Sequence, residues 1–158
     1  MMIKTCLVAM TTFGALALPL SAEVRMQPVI TLQTAQDVVD AALEKAAAEG
    51  WPGVVAVTDP AGDLLAFARM DDAAVPAGVT VAPGKARTAA LFARPSGDLE
   101  TAINGSRAAA ATAGGFVMMK GGLPLIVDGQ VVGAIGVSAD TPDHDQAIAE
   151  AGAAVLAE

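Results

Sequence analysis

The chain has 158 residues, and its 17 acidic against nine basic residues give a formal net charge of −8 at pH 7. An acidic surface of this kind is a poor partner for nucleic acid, whose phosphates carry the same sign of charge. Hydrophobic residues make up 54% of the chain and aromatic residues only 3%, which predicts a core of small, tightly packed side chains. Such a chain has more apolar surface than one small domain hides, so we expect a homo-oligomer.

The first 22 residues are typical of a cleaved export signal. Lys4 supplies a positive charge, residues 6–20 are mostly apolar, and small residues follow at Ser21-Ala22. The apolar stretch is short for a membrane span, which needs about 20 apolar residues, so an uncleaved anchor is the less favoured alternative. We predict a signal peptide over residues 1–22, one domain over residues 23–158, a periplasmic or secreted location, and no membrane association after cleavage.

Cleavage would remove Cys6, the only cysteine of the chain. The mature protein then has no thiol, which excludes disulfides, zinc–cysteine sites and cysteine nucleophiles. Core burial, helped by oligomerisation, must therefore hold the mature protein together.

The first half of the mature chain predicts a helix followed by two paired strands. Apolar side chains recur at helical spacing from Thr31, the expected N-cap, to residue 49, and Gly50 is a natural terminator. Residues 54–58 are rich in β-branched side chains, and a turn of Asp, Pro and Gly separates them from a second apolar run at 64–70. This pattern indicates a β-hairpin.

The middle of the chain predicts a loop, two helices and a short strand. Residues 71–83 contain two prolines, a glycine and no regular period, so we expect a loop there. Helices are predicted over residues 84–93 and from 96 to about 113, separated at Pro95. Residues 116–119 are a candidate short strand.

The last part of the chain predicts a second hairpin and a final helix. Two apolar runs, 123–127 and 130–138, flank Asp128-Gly129, a typical two-residue hairpin turn. The final helix has Thr141 as N-cap and Pro142 at its first position. The resulting order, αββααβββα, predicts an α+β domain whose antiparallel sheet has four to five strands and is flanked by helices.

Several short motifs occur along this order of elements. They are Asp59-Pro60-Ala61-Gly62, Arg69-Met70-Asp71, Lys85-Ala86-Arg87-Thr88-Ala89, Pro95, Gly121-Gly122-Leu123-Pro124, Val137-Ser138 and Asp145…Ala149…Ala151-Gly152. Together, from about Ile30 to the C-terminus, they resemble the GlcG/HbpS-like family of haem-binding and haem-associated proteins, whose relatives include the C-terminal domain of some corrinoid adenosyltransferases. The resemblance implies a five-stranded antiparallel sheet, homo-oligomers from dimers up to octamers, and haem as the ligand.

His144 is the only histidine of the chain and lies in the first turn of the final predicted helix. Neutral imidazole is a common ligand of metals and of haem iron, which makes His144 the candidate metal ligand. The alternative is an exposed polar side chain at a helix start, where many polar residues serve equally well.

The segment before the second hairpin offers further candidates for the cofactor site. Met118 and Met119 would supply a thioether to iron or line a flat apolar slot, and the alternative is core packing. Gly121 and Gly122 would expose backbone N–H groups to an anion, and the alternative is a plain connection into the strand.

Four basic residues would hold the propionates of haem or another anionic ligand on this acidic background. They are Arg69, Lys85, Arg87 and Lys120. The alternative is ion pairing within the fold or the oligomer. In that case Arg69 would pair with Asp71 or Asp59, and Lys85 would pair with Asp72 or with a neighbouring subunit.

These patterns together predict an exported homo-oligomer that binds haem or another anionic tetrapyrrole and stores, delivers or sequesters it. One alternative is an enzyme or accessory protein that acts on a small carboxylate or a corrinoid-related metabolite, with Lys85 and Arg69 holding the substrate. Another is a structural oligomer without a ligand. No nucleophile-elbow sequence surrounds Ser138 or Thr141, so no catalytic residue is assigned.

Overall fold

The computed structural model describes Glu23 and residues 26–157. The predicted signal peptide, residues 1–22, lies outside this part of the chain. Among the described residues, no helix combines the length and the apolar character that crossing a membrane requires.

The described chain contains four helices, four strands and two short 3₁₀ turns. These are α1 (Leu32–Glu49), β1 (Val54–Thr58), β2 (Leu64–Arg69), α2 (Gly78–Phe92), α3 (Ser96–Asn104), β3 (Gly122–Val127), β4 (Gln130–Ser138) and α4 (Pro142–Ala153), with the 3₁₀ turns at Ala108–Thr112 and Ala154–Leu156. The strands form one antiparallel sheet in the order β2-β1-β4-β3. The predicted α+β class is confirmed.

The expectation of a fifth strand is wrong for the described chain, because residues 116–119 join no sheet. Side chains of α2 and α3 form hydrogen bonds with the backbone of this segment, in place of the bonds that a neighbouring strand would form. The Val117 N–H donates to Thr88 Oγ1 at 2.9 Å, and Ser96 Oγ donates to the Met119 carbonyl at 2.5 Å. Because these backbone groups already have hydrogen-bond partners on α2 and α3, they do not require pairing with a strand.

The sheet buries both of its faces. On one face Val55 and Val57 of β1 pack with Ile135 of β4 against α1 and α4. On the other face Val54 and Ala56 pack against α2. Alternate residues of a strand point to opposite faces, so burial of all five β1 residues follows from its central position.

Close approach of helix to sheet depends on small residues. A Cβ at Gly136 of β4 would collide with the backbone of α2 at Ala82 and Ala86. On the other face, a Cβ at Gly152 of α4 would lie 2.8 Å from the Val38 carbonyl of α1. The helices and the sheet can therefore pack at short distances because small residues, and not aromatic ones, lie between them.

Several predicted boundaries are confirmed by cap and turn geometry. Thr31 caps α1 by accepting from the Thr34 N–H, and Gly50 ends the helix with φ of 72°. In the second hairpin, Asp128 and Gly129 both have positive φ, 49° and 75°, as the predicted turn requires. Thr141 caps α4, and Pro142 is its first residue.

The helix α2 begins six residues earlier than predicted, at Gly78, and includes Pro83. A proline inside a helix removes one backbone hydrogen bond. Here the first turns pack tightly on the sheet: a Cβ at Gly78 would lie 2.9 Å from Val54 Cγ2, and Ala82 is fully buried. Tertiary packing supplies most of a helix's stability in proteins and outweighs the local proline signal.

The next helix is shorter than predicted. α3 ends at Asn104 and not near residue 113, and Ala108–Thr112 forms a separate 3₁₀ turn. Gly105 between them has a non-helical backbone, with φ of −104° and ψ of −122°, which interrupts the run of helical residues.

Candidate functional site

Lys85 of α2 and Asp145 of α4 form a buried ion pair. The Lys85 side chain is 1% exposed, and its Nζ lies 2.5 Å from Asp145 Oδ2 and 3.0 Å from the Val137 carbonyl. Asp145 Oδ1 accepts from the Ala139 N–H at 2.5 Å. The partner of Lys85 is therefore Asp145, and not Asp72 as the sequence suggested.

Gly121 and Gly122 are buried against this ion pair. Gly121 has φ of 108°, and a Cβ there would lie 2.6 Å from Asp145 Cβ and 3.3 Å from Lys85 Nζ. The Gly122 N–H donates to Ser96 Oγ at 2.8 Å. The two glycines thus permit close packing of β3 on α2 and α4. The Gly122 N–H already has Ser96 Oγ as its hydrogen-bond partner and is not free to bind an anion.

Lys120 pairs with Asp143 at the start of α4, and both side chains are exposed. Lys120 Nζ lies 2.5 Å from Asp143 Oδ1. This hydrogen bond raises the pKa of Lys120 and lowers the pKa of the Asp143 carboxyl. The Lys120 N–H donates to Glu100 Oε2 at 2.6 Å, which ties the segment before β3 to α3.

His144 stacks on Trp51, the only tryptophan of the chain. The two ring centroids are 3.7 Å apart and the planes differ by 7°. His144 Nδ1 lies 2.8 Å from Asp140 Oδ1, and this hydrogen bond lowers the pKa of Asp140. Within the described residues Nε2 has no hydrogen-bond partner. Neither partner of His144 was predicted from the sequence, although Asp140 lies four residues before it.

The two methionines line different cavities. Met118 borders an apolar cavity of about 270 Å³. Met119 is 46% exposed and borders a smaller cavity of about 130 Å³ beside Lys85.

The larger cavity lies where the end of α2, helix α3 and the following 3₁₀ turn meet. Its lining is Phe92, Arg94, Leu99, Ala102, Arg107, Ala110, Ala113 and Met118. Phe92 contacts Phe116 edge-to-face, with ring centroids 5.0 Å apart. Arg94 and Arg107 are exposed residues of this lining. Neither arginine was predicted from the sequence as a binding residue. The one indication in the sequence was that they lie on either side of α3.

Arg69 lies apart from both cavities, at the end of the edge strand β2 opposite Val54. Its side chain is exposed, and no ion pair joins it to Asp59 or Asp71 in the described structure. Arg87 lies on α2, with its guanidinium 3.5 Å from the Gly62 carbonyl in the first hairpin turn. The nine candidate residues thus fall in five places: the buried ion pair with its glycines and Met119, the start of α4 with Lys120 and His144, the apolar cavity with Met118, the end of β2, and Arg87 beside the first hairpin.

The described residues contain no metal site built from protein side chains alone. No group of three or more His, Cys, Asp or Glu side chains converges there to hold a metal ion.

Fold and cavity together define the class of this protein. It is a small α+β domain with helices on both faces of an antiparallel sheet and an arginine-bordered apolar cavity at the end of α2. The model of the family described as haem degrading protein HbpS-like matches residues 30–154. The chain belongs to this family, which confirms the resemblance found in the sequence.

The comparisons with single proteins agree with this assignment. The chain is 40% identical to Protein GlcG of Escherichia coli K12 over 129 residues, covering 82% of this chain and 96% of GlcG. Among solved structures, a double mutant of Streptomyces reticuli HbpS has a TM-score of 0.77 at 32% identity, covering 89% of this chain and 97% of that one. A PduOC:heme complex has a TM-score of 0.74 at 26% identity, covering 81% and 95%.

Proposed function

We propose that this protein is an exported homo-oligomer that binds haem and stores, delivers or sequesters it. The observation that carries the proposal is the apolar cavity with Met118 in its lining and Arg94 and Arg107 at its border. Haem in the PduOC complex, a relative of the same fold, and the haem-related description of the family support the choice of ligand.

The cavity lining suits a porphyrin. Phe92, Leu99 and three alanines present apolar surface to a flat ring, and burial of such surface drives the binding of apolar ligands. A volume of about 270 Å³ is just below the range of small-molecule pockets, which span roughly 300–1,000 Å³. One edge of the ring would therefore extend out of the cavity, where a second subunit of the proposed oligomer would cover it.

The two arginines suit the propionates of haem. A guanidinium binds a carboxylate through two parallel N–H···O bonds, and neither Arg94 nor Arg107 has a side-chain hydrogen bond within the described residues. They replace Lys85 and Lys120 as the proposed carboxylate ligands, because both lysines already pair with aspartates. Arg69 remains a separate candidate at the end of β2.

Met118 is the proposed iron ligand in the cavity, since a methionine thioether is an established axial ligand of haem. His144 is the alternative. Its Nδ1 is bonded to Asp140, an arrangement that commonly orients a metal-binding imidazole with its other nitrogen free. However, His144 is absent from the lining of the apolar cavity.

Titration of the purified protein with hemin tests the proposal. We expect saturable binding with a sharp Soret band. Met118→Ala should shift that band and weaken binding, whereas Met119→Ala, the matched control from the adjacent cavity, should behave as wild type. A change caused by His144→Ala and not by Met118→Ala would place the iron at His144. Absence of saturable binding would refute a haem-binding function.

Export, oligomerisation and the fate of bound haem are tested by separate measurements. Mass spectrometry of protein from the host's periplasm or medium should show a chain that begins at Glu23. Light scattering coupled to size exclusion should show a species larger than one subunit. Stable Soret absorbance in the presence of a reductant and oxygen would support storage or delivery, whereas steady loss of absorbance would indicate degradation of haem.

A further inference from the structure

The two edges of the sheet differ in their protection against further strand pairing. β3 forms one edge and β2 the other. An edge strand leaves a row of N–H and C=O groups unpaired, and proteins commonly block such a row with proline, charge or a bulge. β3 contains Pro124, which has no N–H, and a bulge between Leu125 and Ile126. Residues 64–68 of β2 contain neither proline nor charge, so β2 is the edge open to another strand.

The open backbone groups of β2 belong to Phe67 and Arg69. In an antiparallel pair, only alternate residues bond to the neighbouring strand. The Met70 N–H donates to the Gly53 carbonyl at 3.0 Å, and with the β1–β2 register this bond sets the alternation. Phe67 and Arg69 therefore direct their N–H and C=O groups away from β1. A bulge nearer the start of β2, where the register shifts, precedes both residues.

Exposed apolar side chains accompany these backbone groups. Leu64, Phe67 and Arg69 lie opposite alternate residues of β1, at positions 58, 56 and 54, so the three side chains share one face of the sheet. Leu64 is 54% exposed and Phe67 is 42% exposed. A strand added beside β2 would bury both side chains, and removing apolar surface from water is favourable.

The charges at its ends make β2 complementary to its own reverse. Asp63 precedes the strand and Arg69 ends it, and both side chains are exposed. Antiparallel pairing of two copies brings each arginine toward the other copy's aspartate, whereas parallel pairing brings like charges together. The acidic residues 71–72 do not follow this line, because the chain turns there and the Ala74 N–H donates to the Pro52 carbonyl. A second copy therefore supplies the charge order that this edge fits.

We propose that β2 pairs antiparallel with β2 of a second copy, about a two-fold axis near Phe67, and joins the two sheets into one. The two Phe67 side chains would lie side by side at the axis. Each Arg69 would lie beside Leu64 and Asp63 of the other copy. Such a contact uses the same surface on both subunits, as two-fold dimers do. This inference rests on the homo-oligomer part of the proposed function and specifies one of its contacts.

The β2 contact is separate from the proposed haem site, because no residue of β2 lines the apolar cavity. A variant that breaks the contact should therefore keep the hemin affinity of wild type. This independence allows the two proposals to fail separately.

Phe67→Glu in the full chain tests the contact, since it places two carboxylates together at the axis. Light scattering coupled to size exclusion should show a mass of half the wild-type value or less. Ile126→Glu is the matched control, because Ile126 is an exposed apolar residue, 50% exposed, on the other edge strand. Its mass should equal that of wild type. Circular dichroism should show that both variants are folded.

Exchange of the two charges tests the antiparallel arrangement. Asp63→Arg and Arg69→Asp should each raise the dissociation constant by about tenfold, because two ion pairs per interface become two like-charge contacts. The double variant Asp63→Arg/Arg69→Asp restores opposite charges and should associate as wild type. A structural role of either residue within one subunit would not produce this recovery.

Three results would overturn the β2 contact. They are a wild-type mass in Phe67→Glu, a double charge variant that associates no better than the single variants, and dissociation by Ile126→Glu in place of Phe67→Glu. Each of these would leave haem binding and oligomerisation standing. A monomeric wild type would overturn both this contact and the proposed homo-oligomer, whereas loss of hemin binding alone would overturn only the haem proposal.

Discussion

The ammonium of Lys85 lies 2.5 Å from the carboxylate of Asp145, although the two residues are 60 positions apart in the chain. Both side chains are nearly buried, at 1% and 9% exposure. Because Asp145 also accepts from the Ala139 N–H and Lys85 also donates to the Val137 carbonyl, the pair joins α2 and α4 to the end of β4. It forms one wall of the small cavity.

Loss of one partner of this pair should destabilise the protein strongly. In Lys85→Met, Asp145 would remain buried without a countercharge, which costs about 3–5 kcal/mol of the free energy of unfolding. Urea denaturation followed by circular dichroism measures this loss. Lys45→Met is the matched control, because Lys45 pairs with Glu49 on an exposed surface and such pairs contribute about 0–1 kcal/mol. Equal losses in both variants would contradict the role of the buried pair.

Gly136→Ala should prevent the normal packing of α2 on the sheet. The added Cβ would collide with the backbone at Ala82 and Ala86, and backbone cannot move aside as a flexible side chain can. We expect a loss of at least about 2–3 kcal/mol, at the upper end for overpacking, measured by thermal and urea unfolding. Gly114→Ala adds the same atom where nothing lies within 4 Å, and its stability should equal or slightly exceed that of wild type.

Arg94→Ala and Arg107→Ala should each weaken hemin binding by about tenfold. A hydrogen bond to a charged group contributes about 1.5–3 kcal/mol, and the exposure of both arginines places the expected effect at the lower end. Hemin titration monitored at the Soret band gives the affinities. Arg69→Ala serves as control, since Arg69 lies at the end of β2. If Arg69→Ala weakened binding and the other two did not, the carboxylates would bind near β2.

The Lys120–Asp143 pair should be visible in the titration of the Asp143 carboxyl. The hydrogen bond from Lys120 lowers the pKa of Asp143 from its ordinary 3.8. A folded-state pKa below the unfolded value stabilises the protein above about pH 4, and this contribution is lost as pH falls through the lowered pKa. Carboxyl-detected NMR should find the pKa of Asp143 below 3.8 in wild type and higher in Lys120→Met. An Asp143 pKa that stays the same in Lys120→Met would exclude the pair in solution.

The pKa of the Asp140 carboxyl is also lowered, but through a different contact. Its pKa is lowered mainly by the hydrogen bond from His144, so His144→Ala should raise it while leaving the pKa of Asp143 depressed by Lys120. The stabilising contribution of Asp140 likewise disappears as pH falls below about 4. The two variants, compared in one NMR experiment, separate the two contacts at the start of α4.

Local sequence patterns determined the elements whose cause lies within a few residues. The helix from Leu32 to Glu49 follows from its apolar spacing and from the caps at Thr31 and Gly50. The second hairpin follows from Asp128-Gly129, because these residues adopt the positive φ that the turn demands. The motifs of the family could likewise be read from the chain alone.

Contacts between distant residues decided the rest. The early start of α2 at Gly78 depends on packing against Val54, and the segment 116–119 stays out of the sheet while Thr88 and Ser96 bond to its backbone. Sequence spacing could not show that Lys85 is paired with Asp145, nor that Arg94 and Arg107 border one cavity with Met118. Secondary structure arises largely from local energetics, whereas a binding site depends on which side chains the folded layers bring together.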